Sequence, residues 1–331
     1  MNNRVTKKRV LVTGGAGFIG SNLVDDFLLH DNFVVCLDDF STGKRENIAH
    51  LNDHPNFLLV EGDIRNLDDC KKACAGVDIV LHHAALGSVP RSMEDPITTN
   101  EVNISGFLNM LVAARDASVK RFVYACSSST YGDSTALPKV EDKIGKPLSP
   151  YAITKYVNEL YADVFANLYA MQLIGLRYFN IFGRRQDPFS TYSAVIPKFV
   201  SALINYKPIT INGDGSFSRD FTYIENVVLA NHLAATTQNP EAINQVYNVA
   251  CGERTTLNQM VEALIEFMSE YDPKIKNAEV IYGLNRKGDV PHSLASIDKI
   301  QTKMNYQPLY SFKEGLKASC KWYWENLQKP E

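Results

Sequence analysis

The run from Thr13 to Gly20 constrains this chain more than any other segment. A short apolar strand signal, Arg9-Val10-Leu11-Val12, leads directly into Gly14, Gly17 and Gly20, and the residues that follow place Ile19, Leu23 and Phe27 at helical spacing. Glycines at a strand-to-helix turn let backbone N–H groups and the helix N-terminus approach an anionic group closely. A second strand signal, residues 33–37, ends at Asp38, the position from which a carboxylate accepts hydrogen bonds from adenosine ribose hydroxyls. Together these features specify a dinucleotide site. Asp38 and Asp39 would repel a 2′-phosphate, with Lys44 and Arg45 near enough to soften the repulsion, so NAD is expected rather than NADP. Phe18, Ile19, Ser41, Thr42 and Gly43 are expected to complete this wall. The Gly-x-x-Gly-x-x-Gly spacing departs from the usual Gly-x-Gly-x-x-Gly fingerprint and points to a different branch of the fold.

Strand and helix signals go on alternating. Strands are predicted at 57–60, 79–82 and 122–125, with helices at 67–74 and 103–117 between them. That alternation predicts an α/β fold, a Rossmann-type doubly wound parallel sheet whose ligands sit at the carboxyl ends of the strands, near Asp63, Ala84, Ala85 and Ser127. Beyond Arg177 the texture changes to Gly- and Pro-bearing loops, followed by helices at 257–268 and 312–326. The expected division is a NAD-binding domain over 1–176, with a return to it around 223–249, and a smaller C-terminal α/β substrate domain over 177–331.

The chain's 331 residues, 45% of them apolar, can bury a large core. A net charge of −3 supplies no basic field for nucleic acid. No apolar run is long enough to cross a membrane and no signal-peptide core precedes the first strand, so a cytoplasmic enzyme is expected. Six scattered cysteines read as free thiols. No metal is expected: Cys70 and Cys74 share a helix face and His82 adjoins His83, but no four-ligand pattern assembles.

The chemistry centres on Tyr151 and Lys155. Ser149-Pro150 is a helix start, and Tyr151 and Lys155 then lie four apart on one face. A free tyrosine, with a pKa of about 10, is a poor base at neutral pH. A neighbouring ammonium and the positive nicotinamide ring are expected to bring it towards the working range. Ser127, at the end of a strand, can bridge a substrate oxygen and the tyrosine, with Ser128 and Ser129 beside it.

At this point the chain resembles the nucleotide-sugar 4-epimerases of the extended short-chain dehydrogenase/reductase family over essentially its whole length. The resemblance is carried by the glycine run, Gly62-Asp63-Ile64, His82-His83-Ala84-Ala85, the run Ser127 to Gly132, Tyr151 with Lys155, Leu176 to Asn180, Arg219-Asp220-Phe221 and Arg286 to Asp289. In the segments 85–92, 145–150 and 183–188 it is similar to the bacterial UDP-N-acetylglucosamine 4-epimerases of O-antigen and lipopolysaccharide synthesis.

The resemblance implies NAD-dependent inversion at C4 of a UDP-sugar through a 4-keto sugar, interconverting UDP-N-acetylglucosamine and UDP-N-acetylgalactosamine. It places Asp63 and Ile64 at the adenine, Ala84 and Ala85 near the pyrophosphate and ribose, and Tyr178 beside the nicotinamide. Asn180, Arg219 and Arg286 would hold the UDP diphosphate and Asp289 the uridine ribose, arginine suiting phosphate through its planar fork. Ser293 would line the sugar pocket, where a small side chain admits a 2-acetamido group. Gly87 and Ala194 would be small wall positions, and Ser88, Ser129 and Asn180 acetamide partners. Arg91, Val195 and Lys198 complete the expected substrate set. Related dehydratases carry a carboxylic acid after their active-site threonine, where this chain has Ser128 and Ser129. UDP-glucuronate and UDP-glucose or UDP-galactose epimerases stay open as alternatives, as does a non-catalytic NAD-binding scaffold. The resemblance also implies a homodimer through helices around 101–115 and 150–169, where Asn158, Tyr161, Phe165 and Tyr169 have a spacing that fits either a partner or the subunit's own interior.

Overall fold

Parallel strands buried on both faces form the centre of the molecule. The computed structural model describes residues 4–189, 194–284 and 291–327. Six strands arrive first: β1 (Arg9–Thr13), β2 (Phe33–Asp38), β3 (Phe57–Glu61), β4 (Ile79–His82), β5 (Arg121–Ser127) and β6 (Gln172–Tyr178). Later elements are β7 (Ile181–Phe182), β8 (Ile209–Asn212), β9 (Ser218–Arg219), β10 (Thr222–Tyr223), β11 (Gln245–Val249), β12 (Thr255–Thr256) and β13 (Val280–Gly283). The main sheet has seven strands in the order β11-β6-β5-β4-β1-β2-β3, all parallel.

Strand periodicity divides the core into two layers. Leu11, Val35 and Val80 stand side by side in register and point to one face, where Cys70, Phe107 and Leu111 meet them. Val10, Val12, Val34 and Leu81 point to the other, against Leu23, Phe27 and Val227. The helices are α1 (Phe18–Leu29), α2 (Leu67–Cys74), α3 (Val89–Glu94), α4 (Pro96–Asn100), α5 (Phe107–Asp116), α6 (Pro150–Tyr169), α7 (Val195–Ile204), α8 (Ile224–Thr236), α9 (Leu257–Ser269), α10 (Asp298–Met304) and α11 (Phe312–Asn326). Strand order reverses between β1 and β4, which opens a crevice at their carboxyl ends.

The helix expected over 103–117 starts earlier. Asp95 caps α4 by accepting from the Thr98 N–H, Pro96 sets its first turn, and a π-helical turn over Glu101–Gly106 carries the chain into α5. β11 lies outside β6 in the main sheet, so the chain re-enters it after α8. Among the described residues no helix is long and apolar enough to cross a membrane. All six cysteines are free.

The four residues named for a subunit-facing stripe on α6 divide. Asn158 donates to the Asn103 carbonyl at 2.7 Å and Phe165 is buried in the core, because both lie on the face turned to the sheet and α5. Tyr161 is half-buried against that core, while Tyr169 is exposed and stacks under Arg115. An exposed apolar stripe on the same helix runs through Ile153, Leu160, Val164 and Leu168.

Candidate active site

The crevice holds a cavity of about 540 Å³ at the carboxyl ends of β1, β2, β4 and β5. Its floor is the glycine turn. Gly14 has φ +67°, and a Cβ there would meet the Ala84 amide at 2.8 Å, while a Cβ on Gly20 would overlap the Gly14 carbonyl. The turn is therefore packed as closely as backbone allows. Gly17 is the N-cap of α1 and offers no side-chain cap, leaving the orphan amides of the first helical turn for another acceptor. Thr13 Oγ1 accepts from the His83 and Ala84 amides, which fixes the end of β4 beside the turn. Closely packed glycines and an uncapped helix N-terminus fit a pyrophosphate.

Asp38 ends β2 with its carboxylate accepting from the Ala16 and Phe40 amides, both at 2.8 Å. Asp39 is held by the Ser41 amide and hydroxyl. The cations expected to soften this acidic pair are turned to other partners: Lys44 pairs with Asp187 and Glu46, and Arg45 with Glu61 while lying over the Phe40 ring. The acidic edge keeps its bias against a 2′-phosphate.

Tyr151 and Lys155 reach the cavity because Ser149 accepts from the Ala152 amide at 3.1 Å and Pro150 occupies the first turn of α6. The Ser127 hydroxyl stands beside Tyr151 and also accepts from the Ser129 amide and hydroxyl. The protein groups alone set the following protonation of the pair. Burial pushes the Tyr151 phenol above its ordinary value, opposed by the Ser127 hydrogen bond, and Lys155 donates to the Ala125 carbonyl at 2.9 Å. Burial also pulls Lys155 down to about 8. Desolvation of two buried groups outweighs their helical proximity, so the protein groups alone do not lower the phenol.

Many of the expected site residues line this one cavity. Gly14, Gly17, Phe18, Ile19, Gly20, Asp38, Asp39, Ser41, Thr42, Gly43, Ile64, Ala84 and Ala85 do so, together with Gly87, Ser88, Arg91, Ser127, Ser128, Tyr151, Lys155, Tyr178 and Asn180. Around Gly87 an added Cβ would meet nothing within 4 Å. Others stand apart. The Asp63 carboxylate turns to Arg65, Ser129 sits behind Ser127, and Ala194, Val195 and Lys198 begin α7. Arg219 donates to the Ser218 and Pro291 carbonyls, and the Ser293 amide donates to Ser218. Arg286 and Asp289 lie outside the described residues.

Sequence reasoning missed several liners. His83 and Gln186 both reach the cavity from segments already singled out as motifs, so position inside a motif was the available signal. The Tyr178 hydroxyl lies between His83 Nε2 at 2.8 Å and the Asn231 amide at 2.9 Å. Burial lowers His83 to about 3, keeping it neutral beside the cavity. His82 is a core residue, bonded to Thr13 and packed against Phe107 and Phe122. Among the described residues the one cluster with three potential metal-binding side chains is Asp26, His30 and His232. There His232 Nδ1 accepts from the Val5 amide and its Nε2 faces Asp26, so His232 has no lone pair left for an ion.

The chain's relatives agree with this geometry. A putative UDP-glucose 4-epimerase of Methanocaldococcus jannaschii is 33% identical, covering 96% of this chain and 99% of its own. The UDP-N-acetylglucosamine 4-epimerase of Methanobrevibacter ruminantium, solved in complex with UDP-N-acetylmuramic acid, superposes with a TM-score of 0.90 at 38% identity, covering 98% of this chain and all of its own. The UDP-glucuronic acid 4-epimerase of Bacillus cereus, solved with UDP-glucuronic acid and NAD, gives a TM-score of 0.85 at 30% identity, over 96% and 99% of the two chains. Residues 10–250 match the model of the NAD dependent epimerase/dehydratase family, and the chain belongs to that family.

Proposed function

We propose that this enzyme is a nucleotide-sugar 4-epimerase whose preferred substrates are UDP-N-acetylglucosamine and UDP-N-acetylgalactosamine, acting in the cytoplasm in surface polysaccharide synthesis. The observation that carries the reaction type is the convergence of Tyr151, Lys155 and Ser127 on the cavity floored by the glycine turn. NAD, when held at the glycine turn, would supply the hydride acceptor and donor for the sugar carbon. Tyr151 takes the proton of the 4-hydroxyl and gives it back after the 4-keto sugar has turned over. Ser127 aligns the sugar oxygen with the phenol, and Lys155 supplies the adjacent positive charge. Burial raises the Tyr151 phenol, and the positive charges that favour its deprotonation would come from Lys155 and from the nicotinamide ring of bound NAD.

Dehydration needs an acid beside the sugar, and among the described residues the carboxylates lining the cavity are Asp38 and Asp39, at the end away from Tyr151. The open space around Gly87 favours room for an acetamide. Asn180, Arg219, Arg286 and Asp289 are assigned to the UDP moiety, with Ser293 at the sugar. The same reading divides the chain into a cofactor domain over 1–176, rejoined by 223–249, and a substrate domain over 177–331. UDP-glucuronate is the second reading, favoured by Arg91, which among the described residues is the cation lining the cavity together with Lys155. Side-by-side turnover of UDP-N-acetylglucosamine, UDP-glucose and UDP-glucuronate tests the assignment. Strong conversion of the first supports it, and preference for the uronate transfers the assignment to the second reading.

The exposed stripe Ile153, Leu160, Val164 and Leu168 supports a homodimer through α6, since a second copy would remove it from water. Light scattering should give twice the chain mass of 37.0 kDa, and a dilution-stable mass of one chain would contradict the assignment.

A further inference from the structure

Asp220 is fully buried, yet no cation is bonded to its carboxylate among the described residues. Three backbone amides satisfy it instead. Oδ1 accepts from Cys251 at 3.0 Å, and Oδ2 accepts from Gly252 at 3.1 Å and Ala295 at 3.2 Å. These donors belong to two segments distant in sequence, the loop after β11 and the stretch 291–296. The Asp220 carbonyl in turn accepts from Asn180 Nδ2 at 3.1 Å, and the Asn180 carbonyl accepts from Thr222. One residue therefore ties a cavity-lining asparagine to two remote loops.

The stretch 291–296 is also tied to its neighbours: Asn248 donates to the Ser296 carbonyl, and Ala295 packs among Tyr131, Phe179 and Ala250. Ser218 donates to the Pro291 carbonyl and accepts from the Ser293 amide, its hydroxyl meets His292 Nδ1, and Arg219 donates to Pro291. Lys139 takes the Leu294 carbonyl and returns a bond to Ser296. Asp220 anchors the same stretch at a further point, the Ala295 amide. Arg219 is its chain neighbour and Ser293 lies two residues before Ala295.

We propose that Asp220 is a positioning residue for the nucleotide-sugar half of the site: it clasps the 291–296 stretch against Arg219 and Asn180 without itself touching substrate. A carboxylate suits the place because only an acceptor without N–H groups can take three converging amide donors. Asparagine has nearly the same shape but brings an NH2 group either against the Cys251 amide or against the Gly252 and Ala295 amides together, which opens one arm of the clasp. Asn180 is shared with the cofactor cavity at the ends of β1, β2, β4 and β5, but its bond goes to the Asp220 main-chain carbonyl, which a side-chain substitution leaves in place, so the cofactor should be unaffected.

The inference rests on the nucleotide-sugar reading, and calorimetric titration of NAD-loaded protein with UDP separates the two. Wild type that binds no UDP would sink that reading and the clasp with it. If wild type binds UDP, Asp220→Asn is expected to bind it at least about tenfold more weakly and to raise KM for the sugar nucleotide similarly. Its NAD content and its kcat at saturation should stay within about threefold of wild type, and the amides of 293–296 should exchange hydrogen faster. Unchanged UDP affinity in a folded variant overturns the clasp, as does parallel loss of NAD and UDP, which marks a general scaffold residue. Should Asp220→Asn not fold, Ala295→Pro deletes a single donor while sparing the carboxylate, and wild-type UDP affinity there overturns the proposal equally.

Discussion

The half of this site that fits the cofactor and the half proposed for the substrate are built in different ways. The first is assembled by strand ends: Gly14 follows β1, Asp38 ends β2, Ala84 and Ala85 follow β4 and Ser127 ends β5, so a single parallel sheet delivers all of them to one crevice. The second is assembled by loops and short ladders, with Asn180 after β6, Arg219 on β9 and Ser293 beside Ser218, joined by hydrogen bonds between distant segments. A sheet places its ligand groups as a by-product of its register. Loops need separate anchors, and a change in one anchor alters recognition while leaving the chemistry in place.

The largest effect expected from breaking this comparison lies in the cofactor half. Tyr151→Phe removes the proton acceptor and should lower kcat by about 10²–10⁴-fold, with NAD affinity within twofold of wild type in a fluorescence titration. A large loss of NAD from that variant would mean that the phenol serves the cofactor rather than the sugar. A smaller and more selective effect belongs to the substrate half. Ser293→Tyr should spare UDP-galactose and depress kcat/KM for the acetylated sugar by about 10–200-fold. Ser293 is half-buried beside Ser218 rather than on the cavity wall, so equal loss on both sugars would show that it does not gate the pocket.

What could be read in advance follows the same line. The glycine turn, the strand ends and the Tyr151–Lys155 face follow from local periodicity and capping, and the structure reproduces them because each depends on residues within a few positions of one another. The protonation of Tyr151 did not follow from spacing, since it is governed by how deeply the helix face is buried. Spacing left open whether Asn158, Tyr161, Phe165 and Tyr169 face a partner or the interior for a related reason: Asn158 and Phe165 meet the sheet and α5, and only tertiary packing decides which helical face does so. The Asp220 clasp had no sequence signature beyond a motif. Its donors are main-chain amides 31, 32 and 75 positions away, and an amide carries no residue-type signal.

The central claim is that Tyr151 and the NAD-dependent cavity invert a sugar at C4 and return the same hydride. Proton NMR of UDP-N-acetylglucosamine turned over in deuterium oxide tests it most directly. The account predicts UDP-N-acetylgalactosamine carrying no deuterium at C4, because the hydride stays in the site throughout. Deuterium at C4, a dehydrated keto product or absence of turnover would contradict it.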